Sequence, residues 1–169
     1  MAWWEYGRQV TLLWFPELGG PVNTTHAETI KVGAMGIRFL VEPGQSNRSV
    51  TVFECDVPAE ATMPAPHSHD AFDETIYGLQ GVTTWTVDGA AIEIRPGDAI
   101  CIPHGVVHGF TNGGGVDARF LAIATPGVFG PAYFREIGDV LSADGPPDLA
   151  AIADVMHRHG LTPAPPAGA

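Results

Sequence analysis

Charge is scarce in this chain, and positive charge is scarcer still. Charged residues make up 16% of the 169 residues, against roughly 25% in an average globular protein. Only eight are Lys or Arg, against nineteen Asp or Glu, for a net charge of −11. The basic residues are scattered singly, so no run exists that could track a phosphate backbone or an anionic bilayer. Nucleic acid and membrane surfaces are therefore excluded as expected partners. No apolar run approaches the ~18 residues that a membrane-spanning helix needs. No basic segment precedes an apolar one at the start, and Glu5 and Arg8 interrupt the N-terminal stretch, so no secretory leader is expected and the expected location is cytoplasmic. Cysteine is limited to Cys55 and Cys101, with no CxxC spacing. Both lie in apolar, strand-like stretches and are expected as buried free thiols in a reducing compartment. No internal repeat is visible.

Turn-forming residues are abundant. Gly and Pro together number 36, about 21% against roughly 12% in average usage, and they punctuate the middle of the chain. Hydrophobic residues reach 45%, enough for a core, and the length allows one domain. Residues 1–28 read as an irregular N-terminal arm whose Trp3, Trp4, Trp14 and Phe15 need burial somewhere. From 29 to 130 the pattern is one of short segments: 30–41, 49–57, 74–80, 82–87, 90–94, 99–102, 107–112 and 118–124 read as strands. Turn chemistry separates them, with Asp88-Gly89 a strong hairpin signal. Strands at this spacing with no helices between them predict an all-β sandwich or barrel.

After Pro131 the period becomes helical. Tyr133, Phe134, Ile137, Val140 and Leu141 share one helical face, and Leu149, Ile152, Ala153, Met156 and His157 share a second one. His157 and His159 lie near that helix's C-terminus, where an imidazolium is favoured. Residues 162–169 read as a frayed Pro/Ala tail.

The densest chemical signal is His67-Ser68-His69, followed by Glu74 and, further on, His108. Histidines at i and i+2 in an extended chain project to one face about 6–7 Å apart, suited to two imidazoles converging on a cation. Glu74 opens the next strand and can add a carboxylate oxygen, and His108 can close the shell if the sheet curls round. A His-x-His pair alone is weak, so its surroundings matter. Gly81 follows Glu74, and Gly97, Pro103, Gly105, His108 and Asn112 form a second spaced set.

These two sets resemble the motifs of the cupin superfamily, G-x5-H-x-H-x4-E-x6-G and G-x5-P-x-G-x2-H-x3-N. Nine of the ten fixed positions agree, the exception being Ala61 in place of the opening glycine. The resemblance covers about residues 30–126. It implies a cupin-type antiparallel jelly-roll β-barrel, here with an N-terminal arm and C-terminal helices. It also implies that His67, His69, Glu74 and His108 ligate one divalent metal. Three imidazoles and a carboxylate suit Fe, Mn, Ni or Co, with Zn also within range. Asn112 reads as a structural turn residue. His104, in the loop before the His108 strand, is a candidate proton shuttle, with an exposed loop residue as the plainer alternative. Strict alternation of faces places Ile76 beside Glu74 and Phe110 beside His108, and Phe72 and Trp85 complete a candidate apolar substrate pocket.

The fold alone does not fix the reaction. The chain resembles the quercetinase-like branch, partly through the tail segments 131–137, 146–148 and 158–163. That resemblance implies a metal-dependent dioxygenase that acts with O2 on a small hydrophobic enolic or flavonol-like substrate, with Glu74 catalytic. The alternatives are a non-redox isomerase, cyclase or lyase using the ion as a Lewis acid, or a small-ligand-binding protein without catalysis. The aromatic arm is expected to serve a homodimer.

Overall fold

A computed structural model describes residues 28–63, 65–143 and 145–164. Trp3, Trp4, Trp14 and Phe15, and with them nearly all of the expected arm, lie outside these residues. Eleven strands and two helices follow in order: β1 (Thr29–Val32), β2 (Met35–Val41), β3 (Thr51–Val57), β4 (His67–His69), β5 (Asp73–Gln80), β6 (Thr83–Val87), β7 (Ala90–Ile94), β8 (Ala99–Ile102), β9 (His108–Thr111), β10 (Ala118–Thr125), α1 (Pro131–Ser142), α2 (Leu149–Arg158) and β11 (Leu161–Pro163). All strand pairs are antiparallel. One sheet has the order β1-β2-β3-β10-β5-β8, the other β11-β4-β9-β6-β7.

Alternation sets the faces. Along β3 and β10 every second residue is buried, because successive side chains of a strand point to opposite sides. The inward set of one sheet meets that of the other, as where Phe120 packs edge-on against Trp85 and Phe110 at ring-centroid distances of 5.2 and 5.0 Å. Such edge-to-face pairs are favoured by the ring quadrupoles. The expected antiparallel jelly roll is present as two facing sheets; among the described residues, no ladder joins them into one hydrogen-bonded ring. β4, only three residues long, joins β9 through the single register pair His67↔His108, too little to carry closure.

Three local expectations need correction. Residues 30–41 form a hairpin, not one strand, because Gly33 takes φ +58° and reverses the chain between β1 and β2, a backbone region glycine enters without steric cost. Cys101 is exposed while Cys55 is buried; on edge strand β8 the alternation turns Ile102 inward and Cys101 outward. Residues 161–163 are a strand rather than a frayed end: β11 pairs with β4 through Leu161↔His69, Thr162↔Ser68 and Pro163↔His67.

The helices pack on the sheet edges, α1 on β1 and α2 on β11. α1 starts with Pro131, whose missing N–H costs nothing at that position, and it buries Tyr133 and Ile137. Gly138 lets it approach β1 closely, since a Cβ there would stand 2.5 Å from the Lys31 carbonyl oxygen. α2 is capped by Asp148, whose carboxylate accepts from the backbone N–H groups of Ala150 and Ala151, filling donors that a helix start leaves open. It buries Ile152, Val155 and Met156, while Leu149, expected on that face, is 71% exposed. His159 sits at the C-cap, its ring nitrogen 2.9 Å from Glu136 of α1.

Candidate metal centre

Two strands bring the histidines together. β4 supplies His67 and His69, both turned inward and buried, and β9 supplies His108 directly opposite His67. Ring centroids lie 5.1 Å apart for His67 and His69, 4.8 Å for His67 and His108, and 4.6 Å for His69 and His108. One nitrogen of each falls within 4.8 Å of the other two. Glu74, near the start of β5, stands beside this group without joining it so tightly: its Oε2 is 3.5 Å from His108 Nε2 and 3.9 Å from His69 Nε2.

Hydrogen bonds fix which nitrogens face inward. His67 Nδ1 lies 3.1 Å from the Ala65 carbonyl and His108 Nδ1 lies 2.9 Å from the Val106 carbonyl. A carbonyl accepts only, so each Nδ1 carries the proton and each Nε2 presents a lone pair to the cluster. His69 is held differently. Its Nδ1 has no partner, and its ring stacks on Phe72 at 4.0 Å and 19°. His108 Nε2 is also a buried atom without a hydrogen-bond partner, and its approach to Glu74 Oε2 is 3.5 Å.

Electrostatics keep two rings neutral. Burial, reinforced by the neighbouring His108, pushes His67 down to about 3. Burial, with His67 and His108 alongside, pushes His69 down to about 2. For His108 burial acts in the same direction, but the Glu74 carboxylate and the Val106 carbonyl together outweigh it and raise the ring above its ordinary value. Neutral imidazoles with converging lone pairs suit a cation. Nitrogens bound ~2.0–2.1 Å from one ion at tetrahedral or octahedral angles stand roughly 2.8–3.4 Å apart. His67 Nε2 and His69 Nε2 are 3.2 Å apart. The three buried histidines can thus hold a metal ion, and the buried His108 Nε2, which faces the cluster without a hydrogen-bond partner, fits one.

The cluster opens into a cavity of about 70 Å³ with largely apolar walls. Trp85 and Phe110, two of the four expected pocket residues, lie on its wall; Phe72 and Ile76 do not. Phe72 stands behind His69 and stacks on it, and Ile76 shares Glu74's face but is fully buried in the core, paired with Ile100 and Ala122. His104 is exposed and absent from the wall; its ring and its backbone N–H both engage Asp73. That contact, the backbone donor first, holds the Asp73 carboxyl below its ordinary value. Asn112 is buried, donates to the carbonyls of Val57, Pro58 and Val116, and accepts from Gly114 N–H. It pins the turn after β9.

Sequence reasoning missed a large share of the wall. Tyr133, Phe134 and Ile137 of α1, Phe129 before it, and Leu161 of β11 all line the cavity. The signal was present in the apolar helix face at 133, 134 and 137, which needed a surface to cover. Periodicity shows that such a face is buried without showing against what.

Residues 53–124 match the family described as Cupin domain. Over 76 residues the chain is 34% identical to quercetin 2,3-dioxygenase of Bacillus subtilis (strain 168), a match covering 43% of this chain and 21% of that enzyme. The chain thus spans about a fifth of that relative's length. The polyketide cyclase RemF from Streptomyces resistomycificus is similar in structure, with 25% identity, a TM-score of 0.55, and coverage of 74% of this chain and 94% of that one. KdgF from Halomonas sp. is similar in fold, at 19% identity, a TM-score of 0.56, and coverage of 64% and 94% respectively.

Proposed function

Residues 53–124 match the Cupin domain family, and from that match we propose that the chain is a metal-dependent dioxygenase of the cupin superfamily acting with O2 on a small, hydrophobic, enolic substrate. The carrying observation is a carboxylate set beside two of three converging imidazoles, at one side of an apolar cavity. His67, His69, His108 and Glu74 would hold one divalent ion, of Fe, Mn, Ni or Co. That ion would supply Lewis acidity toward an enolate oxygen and a route for electrons to O2. The chain's own residues do the rest. Glu74 Oε2 accepts the substrate's hydroxyl proton, since a carboxylate within reach of the docking oxygen is a general base. Trp85, Phe110 and Phe129 hold a planar ring and exclude water. His104 has no part in the relay on this reading, because it faces solvent.

Cavity size argues for the smaller substrate. At ~10–15 Å³ of such space per water, about 70 Å³ admits about five to seven waters or one substituted ring. The similarity to quercetin 2,3-dioxygenase supports the chemistry more than the size of its substrate.

A non-redox reading is favoured by one observation, the likeness to a polyketide cyclase over 74% of this chain. The test that separates the two is metal content of protein purified without chelators, followed by O2 uptake with enediols. About one Fe, Mn, Ni or Co per chain and substrate-dependent O2 consumption support the dioxygenase. Turnover that continues without O2 selects the cyclase or isomerase, and full metal loading in Glu74→Ala counts against Glu74 as a ligand. A homodimer belongs to the same proposal, and a monomeric mass by light scattering at micromolar concentration would count against it.

A further inference from the structure

Beyond the histidines and Glu74, the cavity wall is apolar except at one hydroxyl. Among the described lining residues only Tyr133 carries one. The indole N–H of Trp85 is already committed to Thr83 at 3.0 Å, and burial leaves the Cys55 thiol well above its ordinary value and inert as a nucleophile. Tyr133 is 8% exposed, and its hydroxyl makes no hydrogen bond among the described residues. A buried tyrosine normally finds a partner for its O–H.

The ring itself is well held. It packs against Phe129 and Phe134 at 5.0 Å each and edge-on to His159 at 5.7 Å. His159 is tied to Glu136 one turn along α1. Burial, with the Glu74 carboxylate adding to it, pushes the phenol well above its ordinary value. The hydroxyl therefore keeps its proton and can donate. A fixed ring with an uncommitted donor, set in the field of Glu74, is a preorganised contact awaiting an acceptor.

We infer that Tyr133 is a specificity-determining residue of this cavity: its hydroxyl donates a hydrogen bond to a second oxygen of a ligand whose first oxygen lies at the histidine cluster. The site then prefers planar ligands bearing two oxygen functions. A ligand with only one would bury the Tyr133 donor unsatisfied, which is costly in a dry site. The inference rests on the proposed ligand-binding role of the cavity and not on the use of O2.

The test compares wild type with Tyr133→Phe, both loaded with Co(II) and kept free of O2, using catechol and phenol as probes and isothermal titration as the readout. The expected result is about 3–10-fold weaker binding of catechol by the variant, the range of one neutral hydrogen bond, with phenol unchanged within twofold. Metal content stays equal, and the metal-free variant melts within about 1 °C of wild type, since the hydroxyl has no partner to lose. Equal affinities for catechol, including no binding by either protein, overturn the inference. So does an equal loss for both probes, which marks a packing role. A fall in Tm of about 2–4 °C, the mark of a lost internal hydrogen bond, overturns it as well. If binding discriminates as expected while no enediol consumes O2, the dioxygenase reading fails and the role of Tyr133 stands.

Discussion

Replacing Gly138 by alanine sets two physical effects against each other, and the structure decides between them. Propensity alone favours the change, because alanine is worth about 1 kcal/mol over glycine inside a helix. Packing opposes it. The new Cβ would lie 2.5 Å from the Lys31 carbonyl oxygen, a backbone atom of β1, where a relaxed carbon-to-oxygen contact is roughly 3.3–3.6 Å. α1 would have to retreat by about 1 Å. It carries Tyr133, Phe134 and Ile137, and Phe134 packs against Phe39 and Phe53 at 5.8 and 5.3 Å, so the retreat loosens a whole aromatic face. Overpacking of this kind costs about 1–3 kcal/mol. With the propensity gain of about 1 kcal/mol subtracted, Gly138→Ala is expected to lose up to about 2 kcal/mol, or as much as roughly 4–8 °C in Tm for a chain of this size. Calorimetry with urea unfolding as a second probe would measure it. A rise in Tm of about 2–4 °C, the outcome propensity alone demands, would refute the close seating of α1 on β1.

Three further outcomes follow from other parts of the fold. Asn112→Ala strands three carbonyls and one N–H that its buried side chain now satisfies, so a loss of about 3 kcal/mol is expected by urea unfolding; a change under 1 kcal/mol would deny the turn its dependence on this residue. Leu161→Ala removes a fully buried side chain from β11 and should cost about 2–5 kcal/mol, with weaker metal binding by isothermal titration because β11 flanks His67 and His69; unchanged stability would mean the tail strand is dispensable. In metal-free protein, His67 at about 3 and His69 at about 2 lie below the ~6.5 of the unfolded chain. The unfolded state therefore takes up two protons that the native state refuses, and stability, full above about pH 7, falls by up to ~2.7 kcal/mol per pH unit towards pH 3. His108, shifted upward, is protonated in both states over the lower part of that range and leaves the slope unchanged there. A urea midpoint constant between pH 7 and pH 4 in the presence of chelator would contradict the burial of these rings.

How much of this was legible in the sequence depended on the range of the interaction. β3 and β10 were readable because their burial follows a period of two fixed by the backbone alone. The His67 and His69 pair was readable for the same reason, since i and i+2 share a face wherever the strand lies. The β1–β2 hairpin was hidden by its brevity: Gly33 supplies the reversal, but the apolar pattern continues across it. The cavity wall was legible only in part. Phe110 follows from strand alternation, whereas Ile76 obeys the same alternation and still misses the wall, because alternation fixes the face of a sheet and not the position along it; Phe72, between β4 and β5, lies outside any strand.

The least legible part is also the part that ties the C-terminal segment to the site. Thr162 and Pro163 give no strand signal of their own, and proline is poorly suited to a central strand. They pair because β4 offers an open edge, and the pairing is tolerated at Pro163 because β11 is itself the last strand of its sheet, where a missing N–H faces no partner. β4 has only three residues and a single register pair with β9, so β11 supplies most of its ladder. Two of the three histidines are thus positioned by a strand that residues 161–163 hold in place, and one side of the cavity is closed by α1. The placement of these histidines and the walls of the cavity consequently depend on residues beyond the 53–124 segment that carries the motifs.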